Sequence, residues 1–269
     1  MNRLPLSLLF LGALSSLTAC SGEASLGDTP EGDAPDTQEQ DVIIGRNDLL
    51  TVSASGDNVS ARYRALLDGF GRLRISGGLC TATHVGNGVV VSAGHCFNAP
   101  SREVRDRACS GTVVEWGYRS GRSSVPTSQC TRILAMANGS TTDYAIFRVS
   151  PVPSVSVPIA AGRRPAQGAR LTIFSHPQGR PLQWSGTCPL SGRVSSNEFG
   201  HTCDTQGGSS GATILEDSTL RVIGIHWGGG GSRNIGMFAD ASPLASLLAS
   251  SGARFMTDEE AALAVDAEP

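Results

Sequence analysis

The chain has 269 residues, a formal net charge of −3, 5% aromatic residues and 33 glycines. A mildly acidic chain with scattered arginines offers no phosphate-binding surface, so nucleic acid is excluded as an expected partner. Many glycines among short runs rich in Val and Ile are typical of a turn-rich β protein rather than a helical one. The length allows one large all-β domain.

The first segment is predicted to be a signal peptide over residues 1–20. Arg3 precedes an apolar stretch from Leu4 to Leu14, and Leu17-Thr18-Ala19-Cys20 ends the segment. The apolar run is too short to remain as a membrane span. The ending resembles the lipobox of bacterial lipoproteins, which implies that Cys20 carries lipid; an ordinary signal peptide containing a cysteine is the alternative. Both interpretations predict an exported protein, either lipid-anchored at the bacterial cell envelope or secreted after processing.

Residues 21–41 are predicted to be a disordered linker or propeptide. They are acidic, contain no basic residue and have almost no large apolar side chains. Such a segment cannot bury enough apolar surface to offset its ordering entropy. The composition changes at Val42-Ile43-Ile44-Gly45, so we expect the folded domain to occupy residues 42–257. An acidic tail at residues 258–269 is expected to be frayed.

The cysteines favour a disulfide-bonded domain. Seven is an odd number, and removing Cys20 leaves six. Six cysteines allow fifteen pairings, of which sequence neighbours are the most economical. These neighbour pairs are Cys80–Cys96, Cys109–Cys130 and Cys188–Cys203. No CxxC spacing favours zinc, so neither a metal nor another cofactor is expected.

Several short segments have the length, β-branched content and turn boundaries of strands. They are residues 88–92, 111–116, 144–149, 170–174, 212–215 and 220–225. Residues 242–248, with Pro243 near the start, predict a short helix near the C-terminus.

Three local patterns carry residues of catalytic type. His95 follows the predicted strand at 88–92, Asp143 immediately precedes the strand at 144–149, and Ser210 lies in the glycine-rich loop Gly207-Gly208-Ser209-Ser210-Gly211. A serine hydroxyl becomes a nucleophile when an imidazole accepts its proton. A buried carboxylate holds that imidazole in one tautomer. Glycines allow the loop to turn so that the N–H groups of Gly208 and Ser210 converge on one oxyanion.

The order His, Asp, Ser is that of the chymotrypsin-like serine proteases, which this chain resembles. Ser92-Ala93-Gly94-His95-Cys96 resembles the Thr-Ala-Ala-His-Cys motif of that family. The resemblance implies two six-stranded antiparallel β-barrels with the active site between them, and a Cys80–Cys96 bridge flanking the histidine loop. It also implies protein or peptide substrates, and we expect a monomer. Ser209 departs from the family, because animal enzymes carry there an Asp that pairs with the new N-terminus.

Rival site residues fit the pattern less well. Ser209 is the other candidate nucleophile, but Gly208-Ser209-Ser210-Gly211-Ala212 matches the family's Gly-x-Ser-Gly-small motif at Ser210. His84 lies in a candidate strand, His176 precedes a proline, and His201 has no acid-then-strand pattern after it.

The primary specificity has two open interpretations. The segments Asp204-Thr205-Gln206-Gly207-Gly208 and His226-Trp227-Gly228-Gly229 resemble the bacterial glutamyl endopeptidases, as does the start at Val42. This resemblance implies that Thr205 and His226 bind an acidic side chain, with Trp227 and Gly228 in the same pocket. Asp204, six residues before Ser210, instead matches the carboxylate with which trypsin-like enzymes bind Arg or Lys. A catalytically silent binding module is the alternative to an enzyme.

The bond after Asp41 is predicted to be a processing site. It lies at the end of the acidic segment, where the chain should be exposed. An enzyme that cleaves after acids could perform this step on itself, which would make the chain a zymogen with a mature start at Val42.

Overall fold

The structure, a computed structural model, describes residues 42–266. The described residues do not include the predicted signal peptide, Cys20 or the acidic segment ending at Asp41. What the sequence predicts for residues 1–41 is therefore not tested by the structure.

Short strands dominate this part of the chain. The first strands are β1 (Leu50–Thr51), β2 (Phe70–Ile75), β3 (Gly78–Gly86), β4 (Val89–Ser92), β5 (Val104–Arg107), β6 (Val113–Trp116), β7 (Thr127–Gly139) and β8 (Thr142–Ser150). The later strands are β9 (Ile159–Ala160), β10 (Arg170–Ser175), β11 (Gln183–Arg193), β12 (Glu198–His201), β13 (Thr213–Glu216), β14 (Arg221–Gly230), β15 (Arg233–Phe238) and β16 (Phe255–Met256). The α-helices are α1 (Ala61–Arg64), α2 (Leu244–Ser251) and α3 (Asp258–Asp266), and 3₁₀ turns cover Leu67–Gly69, His95–Phe97 and Pro177–Gly179.

The first barrel is a closed antiparallel sheet. Its strands follow the order β7, β6, β2, β3, β4 and β8, and β8 pairs back with β7, while β5 extends the sheet outside the ring. Alternation places apolar side chains inside the ring, because successive residues of a strand point to opposite faces. Leu73, Val90, Val114 and Phe147 are fully buried in this core.

The second barrel closes in the same way. Its strands follow the order β10, β11, β12, β15, β14 and β13, and β13 pairs with β10. β1 is added to β11, and the short β9 pairs in parallel with β14 and β16. The predicted fold of two six-stranded antiparallel barrels is confirmed.

All six predicted strands are present, as β4, β6, β8, β10, β13 and β14. The predicted helix at residues 242–248 is α2, which begins after Pro243 and ends at Gly252 in the left-handed conformation. Such a glycine commonly ends a helix because it has no Cβ to clash there.

The C-terminal segment differs from the frayed tail predicted at residues 258–269, because Asp258–Asp266 form α3. A capping box begins this helix: the Glu260 amide donates to the Thr257 hydroxyl (3.2 Å), and the Thr257 amide donates to the Glu260 carboxylate (2.7 Å). The three acids in the first turn also favour the positive end of the helix dipole. Asp258 binds the fully buried Arg221 in addition, so this segment is packed against the second barrel.

The three predicted disulfides are present: Cys80–Cys96, Cys109–Cys130 and Cys188–Cys203. Disulfides persist in oxidising compartments, so they indicate an exported protein. Within residues 42–266, no helix has the length and apolar character that crossing a membrane requires.

Candidate active site

His95, which is partly exposed, and the buried Asp143 form a hydrogen-bonded pair in the first barrel. His95 opens the 3₁₀ turn after β4, and the neighbouring Cys96 ties that turn to β3 through its disulfide. The Nδ1 atom of His95 lies 2.6 Å from Oδ2 of Asp143, which is buried in β8. The amides of Gly94 and His95 both donate to Oδ1 of the same carboxylate. Main-chain and side-chain contacts therefore fix the orientation of the imidazole together.

Gly94 allows the histidine turn to pack closely on the first barrel. A Cβ built at this position would lie 1.9 Å from the carbonyl oxygen of Ala137. The family motif has an alanine at this position. Gly94 instead lets the main chain of the histidine turn approach the main chain at Ala137 more closely than an alanine would allow.

Ser210 lies in the loop before β13, on the second barrel, and its main chain contacts the first barrel. The Ser210 carbonyl accepts a hydrogen bond from the Thr81 amide of β3 (2.9 Å) and lies 4.0 Å from the sulfur of Cys96. Its hydroxyl is 3.5 Å from the carbonyl of Trp227. The predicted nucleophile thus lies against the segment that carries His95.

The rival Ser209 is engaged elsewhere. Its side chain is fully buried, and its hydroxyl lies 3.1 Å from the hydroxyl of Ser175 and accepts the amide of Gln206 (3.2 Å). Animal enzymes carry at this position an Asp that pairs with the new N-terminus. In this chain the position is Ser209, whose hydroxyl instead bonds to the amide of Gln206 in the same loop.

A tight turn precedes the two serines. The Ser209 amide donates to the Gln206 carbonyl (2.8 Å), and Gly208 has φ of +92°. A positive φ at the third residue of such a turn defines type II, which favours glycine. A Cβ at Gly208 would also lie 2.7 Å from the carbonyl oxygen of His176. The Gly207 carbonyl accepts the amide of Gln178, so the N–H of the same trans peptide, which belongs to Gly208, points to the opposite side.

Asp204 holds the N-terminal segment of the domain. Its side chain is buried, Oδ1 accepts the amide of Ile44 (2.8 Å), and Oδ2 accepts the amide of Asp48 (2.7 Å). Both carboxylate oxygens therefore have main-chain donors. The loop that these donors belong to begins at Val42, which forms an antiparallel bridge with Thr205.

Thr205 is linked to Asn234 of β15. The Thr205 hydroxyl donates to Oδ1 of Asn234 (2.9 Å), and Nδ2 of Asn234 donates to the carbonyls of Val42 (3.1 Å) and Cys203 (2.8 Å). The two carbonyls fix the orientation of the amide, so Oδ1 must be the acceptor for Thr205. A bound carboxylate would compete with Asn234 for the Thr205 proton.

His226 lies in β14, next to the Ser210 loop. Its main chain accepts the amide of Gly211 and donates to Ala212, both at 2.8 Å. The Nδ1 atom of its ring lies 3.3 Å from Nε2 of the buried His201. Burial lowers the pKa of His226 to about 3, and the nearby His95 lowers it as well. Burial also holds the pKa of His201 well below its usual range, so both rings are neutral at neutral pH.

Trp227 and Gly228 continue β14 past His226. Trp227 packs against the cores of both barrels. A Cβ built at Gly228 would meet no atom within 4 Å, so the space beside it is open. The strand therefore changes from a buried to an open environment within two residues of His226.

Residues 80–225 match the family model of the trypsin-like peptidase domain, which is more than half of the chain. The chain belongs to this family. The match covers parts of both barrels and contains His95, Asp143 and Ser210.

Solved structures share the fold of this peptidase domain. A Glu endopeptidase is similar with a TM-score of 0.61 and 17% identity, covering 78% of this chain and 99% of the other. A protein of M. tuberculosis H37Rv has a TM-score of 0.53 and 14% identity, covering 71% and 89%. The VesB protease of Vibrio cholerae has a TM-score of 0.52 and 19% identity, covering 64% and 60%. No curated protein matches the sequence.

Several residues that contact the site were not predicted. His201 contacts His226, Asn234 holds Thr205, and Thr81 contacts the serine loop. No local motif marks any of them, because each is placed by the pairing of strands that are distant in sequence.

Two groups in the peptidase domain have the composition of metal ligands: Cys80 with His95 and Cys96, and Cys188 with His201 and Cys203. The cysteines of each group are joined in a disulfide. A metal site would require their thiolates, which a disulfide does not offer.

Proposed function

We propose that this protein is a serine endopeptidase that hydrolyses peptide bonds through an acyl-enzyme intermediate. The observation that carries the proposal is the 2.6 Å contact between His95 and the buried Asp143, packed beside the loop of Ser210. In this proposal Ser210 is the nucleophile, His95 is the general base and acid, and Asp143 orients His95.

The reaction would follow from these positions. The Ser210 oxygen attacks the carbonyl carbon of the substrate while His95 takes the hydroxyl proton on its Nε2 atom. Asp143 accepts the Nδ1 proton and stabilises the imidazolium that forms. The carbonyl oxygen becomes an oxyanion, to which the amides of Gly208 and Ser210 would donate. His95 then protonates the leaving amine, and water hydrolyses the acyl-enzyme by the same steps.

We further propose that the peptidase cleaves after acidic residues, with Glu preferred and Asp second. Asp204 is buried and each of its oxygens accepts a main-chain amide, from Ile44 and Asp48, which favours a structural role over the binding of a basic side chain. His226 lies beside the serine loop and is neutral, so it can donate to a carboxylate without leaving a buried charge when the pocket is empty. The single N–H of the neutral ring has partners within the protein, the Ile235 carbonyl and His201, so a substrate carboxylate would take this donor over from one of them.

The specificity is tested with peptides that differ only in Glu, Gln, Asp or Arg before the scissile bond. We expect the highest kcat/KM for Glu. His226→Ala should lower kcat/KM for the Glu peptide by roughly 10–100-fold relative to the Gln peptide, because a hydrogen bond to a charged group contributes about 1.5–3 kcal/mol.

A matched control is His84→Ala. His84 is also a buried histidine, but its ring contacts the Val155 carbonyl and the Gly88 amide in the first barrel. This variant should lower the melting temperature without changing the ratio of Glu to Gln cleavage. A preference for Arg peptides that disappears in Asp204→Ser would contradict the proposed specificity.

We also propose that cleavage after Asp41 produces the mature enzyme and releases it from an anchor on lipidated Cys20. The Val42 nitrogen lies 3.1 Å from the Thr205 carbonyl. A new α-ammonium group there would add a positive charge beside Thr205. N-terminal sequencing of active protein should therefore begin at Val42, and Cys20→Ser should abolish membrane partitioning of the precursor. Active protein that begins at Cys20 would contradict the processing step.

A further inference from the structure

Thr81 is a buried residue of the first barrel whose hydrogen bonds reach the serine loop of the second. It lies in β3 with no exposed surface. Its amide donates to the Ser210 carbonyl (2.9 Å), and its hydroxyl donates to the Gly208 carbonyl (2.8 Å). The main-chain amide and the side chain of Thr81 thus contact Ser210 and Gly208, the two residues whose N–H groups would bind the oxyanion.

The same hydroxyl also accepts a hydrogen bond from the amide of His176 (2.9 Å). His176 immediately precedes the turn Pro177–Gly179, from which the Gln178 amide reaches the Gly207 carbonyl. The 207–208 peptide of the oxyanion turn is therefore held by Gln178, and the 208–209 peptide is held by Thr81. Thr81 in turn is held by the segment that carries Gln178.

The direction of these bonds is fixed by chemistry. An amide can only donate and a carbonyl can only accept, so the Thr81 hydroxyl must accept from His176 and donate to Gly208. A hydroxyl is the group that can do both at one atom. Without it, the His176 amide and the Gly208 carbonyl would each lose this hydrogen bond, which weakens the link between the loop and the first barrel.

We propose that Thr81 is a positioning residue that holds the oxyanion turn with the Gly208 N–H directed at the reacting carbonyl. The proposal rests on the proposed serine peptidase function. Without the Thr81 hydroxyl, the 208–209 peptide loses a hydrogen bond directly, and the His176–Gln178 segment that holds the 207–208 peptide loses one as well. The Gly208 N–H would then be a less preorganised donor for the oxyanion. The effect should be on the transition state, because the ground-state carbonyl depends less on this donor than the oxyanion does.

The test compares Thr81→Val with Thr81→Ser. Valine keeps the shape and removes the hydroxyl, whereas serine keeps the hydroxyl. We measure kcat and KM on the best peptide substrate, and the inhibition constant of the matching peptide aldehyde, whose hemiacetal oxygen would occupy the oxyanion position. Thr81→Val should lower kcat by roughly 10–100-fold and weaken the aldehyde by a similar factor, with KM within about twofold. The expected loss is smaller than the roughly 10²–10³ in kcat for a removed oxyanion donor, because the Gly208 N–H is displaced and not removed. Thr81→Ser should restore most of both.

A lower melting temperature in Thr81→Val with unchanged kcat and unchanged aldehyde inhibition would show a purely structural role and overturn the proposal. If Thr81→Val does not fold, Thr81→Ala is measured in the same way against Thr81→Ser, with the same criteria. Failure of the proposed function is recognised separately: wild-type protein without peptidase activity, or Ser210→Ala protein that keeps it, would overturn both proposals whatever the Thr81 variants do.

Discussion

Replacing Ser210 with alanine is expected to lower kcat by roughly 10⁶-fold, the loss typical of removing a serine nucleophile. No other group would form the acyl-enzyme. The fold should persist, because the main chain of the loop is held by the Thr81 amide on Ser210 and by the Gly211 amide on His226. The measurement is kcat on a fluorogenic peptide, with the melting temperature recorded alongside.

Ser209→Ala is the matched control, since it removes a hydroxyl from the neighbouring residue. Its hydroxyl contacts Ser175 and the Gln206 amide, so its loss should reduce stability and lower kcat only modestly. Loss of activity in Ser209→Ala together with retained activity in Ser210→Ala would reverse the assignment of the nucleophile.

The Asp143→Asn variant is expected to lose roughly 10⁴-fold in kcat at neutral pH, as replacing the carboxylate of such a triad does. The carboxylate accepts from the amides of Gly94 and His95 on one oxygen and from His95 Nδ1 on the other. With the main-chain donors still on the oxygen of an asparagine, its NH₂ group would face Nδ1. The imidazole would then carry its proton on the nitrogen that must accept from Ser210.

Asp240→Asn provides the control for this variant. Asp240 pairs with Arg164 through both of its oxygens, at 2.7 and 2.8 Å, and contacts none of the proposed triad. This change should lower the melting temperature and leave kcat near the wild-type value. An Asp143→Asn enzyme within tenfold of wild type would contradict the role of Asp143.

The sequence predicted the features that short patterns encode. His95 follows an apolar strand, Asp143 precedes one, and the glycines around Ser210 mark a loop, so order and local chemistry were sufficient to propose the triad. The cysteine pairs follow from their spacing and are confirmed. The two barrels follow from the family resemblance and are confirmed as well.

The surroundings of the site could not be predicted, because they depend on the path of the chain. The donors to Asp204 come from Ile44 and Asp48, about 160 residues earlier in the sequence. His201 meets His226 through strand pairing around the second barrel, and Thr81 meets Gly208 across the two barrels. Away from the site, the capping box at the start of α3 does have a local signal, a Thr followed three residues later by a Glu.

The most direct test of the central claim is labelling with a fluorophosphonate, which reacts with an activated serine, followed by peptide mapping by mass spectrometry. The proposed mechanism predicts one label per molecule on Ser210, abolished in Ser210→Ala and strongly reduced in Asp143→Asn. A label on Ser209, or no label on folded protein that has been processed to Val42, would contradict it.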